Sequence, residues 1–212
     1  MRILILTFCS SIIIIFNVYG QSDPEAVRIL DKFSSKALAA PSIFMKFDLV
    51  TDDQLEGTNN TASGSIILSK DKYKLEMPDN MIWFNGETSW NYLPAEKEVT
   101  ITRADRKDDS FQSKPSAIFS MYKKGYKNRL VEERPESYLI DLYPEDIKTD
   151  LIRVRLTLDR SSLDLKSLEY KNRDGLTVTL NVKEYNLKQK PDASVFSFAP
   201  GQYKGVEIID MR

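Results

Sequence analysis

The chain has 212 residues, with 31 acidic against 30 basic side chains, so it lacks the basic surplus of a nucleic-acid-binding surface. It contains no histidine, which removes the commonest general base, the Ser-His-Asp and Cys-His pairs, and the commonest metal ligand. Its one cysteine, Cys9, lies in an apolar leader, so neither a disulfide framework nor a thiolate nucleophile serves the rest of the chain.

Residues 1–20 read as a cleaved secretory signal peptide. Arg2 is a minimal positive start, Ile3–Phe16 is the apolar stretch, and Val18-Tyr19-Gly20 precedes the cut, leaving Gln21 first. The apolar stretch falls short of the ~20 residues a membrane span requires. Cys9 sits inside it and not just after it, unlike the cysteine of a lipoprotein signal. Residues 21–212 contain no low-complexity linker and no repeat, and are read as one domain.

Ser22-Asp23-Pro24-Glu25 opens a helix: Ser22 or Asp23 can cap it, Pro24 suits its first position, and Glu25 completes a capping box. Ala26, Ile29, Leu30, Phe33 and Ala37 recur at helical spacing, and Pro41 ends the element. Strands follow. In Ser42–Thr51 the residues Ile43, Met45, Phe47 and Leu49 share a face, and a polar loop is expected over Asp52–Thr61. Gly64–Ser69 carries Ile66 and Leu68, and Lys72–Met77 alternates with Tyr73, Leu75 and Met77 on one side.

The stretch Met81–Pro94 places two aromatic-rich runs around Asn85-Gly86, the pair expected at the centre of a type I′ hairpin. Met81, Ile82, Trp83 and Phe84 are apolar on both faces of one strand, so both faces need cover. Period-two alternation makes Met81 and Trp83 oppose Ile82 and Phe84, but leaves open which pair faces the hollow. Trp90 lies on the returning strand, and Glu98–Arg103 adds Val99 and Ile101.

Arg103–Lys114 is charged and loop-like, and Pro115–Tyr122 reads as a short helix with Ile118, Phe119 and Tyr122 on one face, stopped by Gly125. Lys123, Lys124, Lys127 and Arg129 form a small basic cluster, read as a solvated face or as a docking patch for an acidic partner. Strands resume at Arg129–Glu132 and Ser137–Tyr143, where Tyr138, Ile140 and Leu142 share a face. Ile152–Asp159 alternates Ile152, Val154, Leu156 and Leu158 against polar residues. Asp174-Gly175 turns a second hairpin into Leu176, Val178, Leu180 and Val182, and the pattern slips near Tyr185 as at a bulge. Ser194–Phe198 and Val206–Ile209 are expected as closing strands.

The expected fold is mainly β with few helices: a single curved antiparallel sheet of about ten strands, covered by two or three α-helices as a lid over an apolar cavity. Candidate cavity residues are Leu30 and Phe33 on the first helix, Phe47 and Leu49, then Tyr73, Leu75 and Met77, and Met81, Trp83 and Trp90 of the hairpin. Further along they are Ile118, Phe119 and Tyr122, Ile140 and Leu142, and Val154 and Leu156. On pattern alone the same faces favour ordinary core over a ligand site, because apolar strand faces usually pack on themselves, and the pattern does not settle the choice. No catalytic constellation, metal-ligand set, cofactor motif or phosphate loop emerges. Asp52-Asp53 and Asp108-Asp109 pair carboxylates, but in hydrophilic loops.

Several motifs together resemble the LolA-type outer-membrane lipoprotein carrier proteins, periplasmic lipoprotein chaperones of Gram-negative bacteria. They are the Asp23-Pro24 helix start, the Phe47 strand, Gly64-Ser-Ile-Ile-Leu running into Lys72-Tyr-Lys-Leu-Glu, and Asn85-Gly-Glu-Thr-Ser-Trp-Asn-Tyr-Leu-Pro94. Phe196-Ser-Phe-Ala-Pro200 followed by Gly205-Val-Glu-Ile-Ile-Asp210 completes the set. The resemblance implies an incomplete, half β-barrel enclosing an apolar cavity. It also implies a non-enzymatic periplasmic monomer that takes lipoprotein acyl chains from an inner-membrane ABC transporter to an outer-membrane acceptor. An alternative on the same fold is a regulatory protein that senses lipids or lipoproteins. One departure stands out. Better-studied members carry an Arg-Pro pair after the glycine-led strand, the arginine holding the lid; here the residues are Ser69-Lys70-Asp71, and Leu75 stands where a tryptophan is common. Lys70 would have to substitute, with a point charge in place of a planar fork.

Overall fold

The computed structural model describes residues 22–104 and 114–212; the expected leader and residues 105–113 of the charged loop lie outside this range. Within it the chain forms one α-helix, α1 (Pro24–Ala39), and twelve strands in one unclosed sheet. The strands are β1 (Ile43–Asp53), β2 (Thr58–Ser69), β3 (Lys72–Glu76), β4 (Met81–Phe84), β5 (Thr88–Leu93) and β6 (Glu98–Arg103). After two 3₁₀ turns (Pro115–Phe119 and Met121–Lys123) come β7 (Tyr126–Glu133), β8 (Ser137–Pro144), β9 (Leu151–Asp159), β10 (Leu165–Asn172), β11 (Leu176–Asn186) and β12 (Glu207–Asp210). Their spatial order is β12-β6-β5-β4-β3-β2-β1-β11-β10-β9-β8-β7. Every neighbouring pair is antiparallel except β12, which runs parallel to β6, so the sheet is not wholly antiparallel as expected.

The curvature is unevenly built. Pairings from β1 through β6 keep one continuous register. Between β7 and β1 the register shifts four times, where Val131, Ile152, Lys166 and Lys183 each stand as an extra residue. Each bulge increases local twist, so this half of the sheet coils around α1. The Ile152 bulge also exchanges two side chains: Leu151 is buried in the core and Ile152 is exposed, against the expected alternation.

Asp23, and not Ser22, caps α1: its Oδ1 accepts from the Glu25 N–H at 2.9 Å, while Glu25 itself pairs with Arg28 instead of closing a capping box. The same Asp23 accepts from the Leu130 N–H through Oδ2 at 3.2 Å and donates its own N–H to the Asn128 carbonyl at 2.8 Å. The start of the helix thus covers part of the edge strand β7, a place where unpaired backbone would otherwise invite another chain. At the other end Lys36 Nζ reaches the Ser162 carbonyl and Asp164, both at 2.6 Å. With both ends tied, the stripe Ala26, Ile29, Leu30, Phe33 and Ala37 lies on one face of the sheet, called here the inner face.

Four expectations change. Only one α-helix lies among the described residues; the Pro115–Tyr122 helix is two 3₁₀ turns, broken at Ser120, whose φ of −134° is not helical. The Asp52–Thr61 loop shrinks to a turn, because β1 and β2 run on as polar strands, with β11 still paired along β1, and give no apolar alternation to read. Ser194–Phe198 is mostly a 3₁₀ turn (Ala193–Phe196), not a strand. In the β4–β5 hairpin the two-residue loop is Gly86-Glu87 and not Asn85-Gly86. Gly86 takes the positive φ, 97°, while Asn85 acts through its side chain, accepting from the N–H groups of Glu87 and Thr88 at 3.0 and 2.9 Å.

Candidate functional site

The register fixes which residues share the inner face, since cross-strand partners point the same way. One row runs Met45, Ile66, Leu75 and Ile82 across β1 to β4; another runs Leu49, Leu180, Leu168, Leu156 and Ile140 across β1 and β11 to β8. With the α1 stripe and the two 3₁₀ turns they form one apolar body. Phe33 of α1 meets Phe119 of the first 3₁₀ turn with ring centroids 5.4 Å apart, so the covering elements pack on each other as well as on the sheet.

Fourteen of the seventeen candidate residues are brought together here. Leu30, Phe33, Phe47, Tyr73, Ile118, Phe119, Tyr122, Ile140, Leu142, Val154 and Leu156 are buried, and Leu49, Leu75 and Met77 are half-buried at the margin of the same body. Met81, Trp83 and Trp90 are not among them. They lie on the outer face of the sheet in a second cluster with Val99, Ile101 and Phe198. There Trp83 meets the rings of Phe198 and Tyr203 at 5.5 and 5.8 Å, and Tyr203 meets Tyr92 at 4.9 Å. The chain after β11 therefore covers the outer face of β4–β6, and Ile82 and Phe84 are the pair that faces inward.

Residues outside the candidate set also belong to the inner face, among them Ile66, Leu68, Leu165, Leu168, Leu180 and Val182. Strand β10 is the clearest omission. Its bulge at Lys166 sets Leu165 and Leu168 three residues apart on one face, a spacing that mimics a helix and hides the strand.

The inner face is graded in its cover. Beneath α1 it is closed, whereas Leu49, Leu75, Met77, Ile82, Phe84, Tyr170, Val182 and Tyr185 are only partly buried against it. Its polar groups are mostly phenols that stay neutral: burial pushes Tyr73, Tyr126, Tyr170 and Tyr185 above the usual tyrosine value. Tyr122 is pushed up to about 12 by burial and by its hydrogen bond to Asp31. The Tyr122 hydroxyl donates to Asp31 Oδ1 at 2.5 Å, joining the second 3₁₀ turn to α1. Asn128 Nδ2 donates to the Tyr122 carbonyl at 2.9 Å and secures the same turn to β7.

Charge is kept to the outer face. Asp141, buried between Ile140 and Leu142 in sequence, points away from them and meets Arg155 in a two-pronged contact at 2.6 and 2.8 Å. Tyr143 donates to it at 2.9 Å, and Arg153 bridges onward to Glu169 at 2.5 Å. Burial raises the Asp141 carboxyl, but Arg155, Tyr143 and Arg153 outweigh it and hold it below the usual carboxylate range. An apolar face that is partly covered, ringed by neutral phenols and, among the described residues, free of buried ion pairs can receive hydrocarbon without stranding a charge.

A family model described as outer membrane lipoprotein carrier protein LolA matches residues 16–176. An outer-membrane lipoprotein carrier protein of Vibrio cholerae is 25% identical over 198 residues, covering 84% of this chain and 94% of that protein. Among solved structures, an uncharacterized conserved protein from Thermus thermophilus shares the fold, with a TM-score of 0.57 at 11% identity over 88% of this chain and 99% of that one. A LolA superfamily protein from Nitrosomonas europaea, NE2245, aligns over 82% of this chain and 97% of its own, with 13% identity and a TM-score of 0.42.

Proposed function

The chain belongs to the LolA family of outer membrane lipoprotein carrier proteins, and we propose that it is itself a carrier that holds lipoprotein acyl chains on its inner face. The observation that carries this is the graded cover: α1 and the 3₁₀ turns close part of an apolar face and leave the Leu75–Met77 and Tyr170–Val182 margins half-open. Each methylene moved from membrane into water costs about 0.8 kcal/mol, so an acyl chain crosses an aqueous space only inside such a surface. Exported to the periplasm by its leader, the protein takes its cargo from an inner-membrane ABC transporter, crosses as a monomer and gives it up to an outer-membrane acceptor.

Release requires the cover to move. Lys70 is unsuited to locking it, because it sits exposed in the β2–β3 turn with φ 55°. The Asp31–Tyr122 hydrogen bond, which joins the two covering elements directly, is the better placed latch.

Native mass spectrometry of the protein taken from its own cell envelope tests the reading. Acylated protein or lipid is expected to travel with the wild type and to be lost from Leu75→Asp, whose charge enters the half-open margin while the closed core is left intact. Wild-type protein that carries no acylated species and accepts none from membranes contradicts it. Acylated cargo that is bound but never passed on favours the regulatory alternative.

A further inference from the structure

We propose, resting on the carrier reading, that a polar cleft at the rim of the half-barrel binds the peptide main chain of the cargo next to its acylated residue. The cleft has a volume of about 500 Å³ and opens where α1, the second 3₁₀ turn and β7 meet. Its lining includes Asp31 and Glu145 against Lys123 and Lys124. Two acids and two lysines cancel, so no net field selects a phosphate head group or an acidic peptide. A lining that mixes donors with acceptors suits a neutral ligand that alternates N–H and C=O, as a peptide main chain does.

Two further observations favour that ligand. Asn128 lines the cleft at 4% exposure, and its amide orientation is set by the Nδ2 bond to the Tyr122 carbonyl. Its Oδ1 is buried at the cleft wall with no hydrogen-bond partner among the described residues, and an N–H brought there would satisfy it. The cleft also borders the apolar body, since Tyr122 and Tyr126 line the one and pack in the other. Cargo whose acyl chains occupy the inner face would leave by this rim with its first peptide groups in the cleft.

The chain's only cysteine is Cys9, so a Cys9→Ser background allows single-cysteine mapping. The probe is a synthetic dipalmitoylglyceryl-cysteine pentapeptide with a fluorescent label on one acyl chain and a bromoacetyl group on its third residue. Lys124→Cys and Glu145→Cys border the cleft, while Glu56→Cys and Ser161→Cys sit in exposed turns elsewhere. Alkylation at 124 and 145 is expected to run on the order of a hundredfold faster than at 56 and 161, because seating makes the reaction intramolecular. Equal rates at all four positions, or faster reaction at 56 or 161, with acyl uptake intact by fluorescence, overturn the cleft proposal and leave the carrier reading standing. Failure of the parent protein to take up the labelled acyl chain overturns both.

Discussion

Gly64 on β2 shows how closely the inner face is fitted. A Cβ there would lie 2.3 Å from Met77 Sδ, 2.8 Å from the Glu76 carbonyl oxygen and 3.0 Å from the Phe47 ring. Methionine can swing aside, but the carbonyl belongs to the paired strand β3, so adding one methyl must part β2 from β3. Gly64→Ala is expected to lose about 1–3 kcal/mol in urea unfolding at neutral pH. Asp141 makes the opposite kind of demand, since its charge must be kept. Its folded carboxyl is held below the ordinary value, so the stabilisation is present above pH ~3.9 and fades as pH falls through the folded value. Wild-type stability should therefore fall more steeply below pH ~4 than that of Asp141→Asn, while the variant is already the weaker at pH 7, both read from urea midpoints across pH.

Among the elements, the cover is the part that function must disturb, and Tyr122 is its accessible test. Tyr122→Phe keeps the ring in the core but removes the hydroxyl that reaches α1. A loss of about 1 kcal/mol is expected, with faster amide hydrogen exchange in α1 and unchanged protection in β8 and β9. Unchanged exchange in α1 would remove the latch role. Elements with an unbroken period were legible in the sequence: α1 from its stripe, β1, β3 and β8 from their alternation. Bulges were legible in part: the slip near Tyr185 shows the one in β11, where Lys183 is the extra residue, but β10 escapes the pattern and the start of β9 is misassigned by it. Ile152 and Lys166 each insert one residue, which turned Ile152 outward and disguised β10 as a helical spacing. The two 3₁₀ turns carry an apolar face like that of a helix, and only the backbone at Ser120 separates the two readings. For the candidate site, burial on a face was legible but sidedness was not. Met81, Trp83 and Trp90 carry the same apolar signal as Ile82 and Phe84, and what distinguishes them is Phe198 and Tyr203, more than a hundred residues later in the chain.

For the whole molecule, the sheet serves two different covers. On the inner face α1 and the 3₁₀ turns rest over an apolar surface whose margins stay half-open. On the outer face the C-terminal segment packs a compact aromatic cluster over β4–β6, which holds those strands without sharing in the inner face. The proposed carrier role stands on cargo occupying one face alone. Both tryptophans of the chain lie in the outer cluster, which makes the assignment directly measurable. A tryptophan introduced by Tyr170→Trp, on the half-buried inner face of β10, provides the second reporter. Titration with a lipopeptide brominated along its acyl chains is expected to quench the emission at position 170 and leave that of Trp83 and Trp90 nearly unchanged. Quenching of the native pair with none at 170 would place the cargo on the outer face and contradict the account.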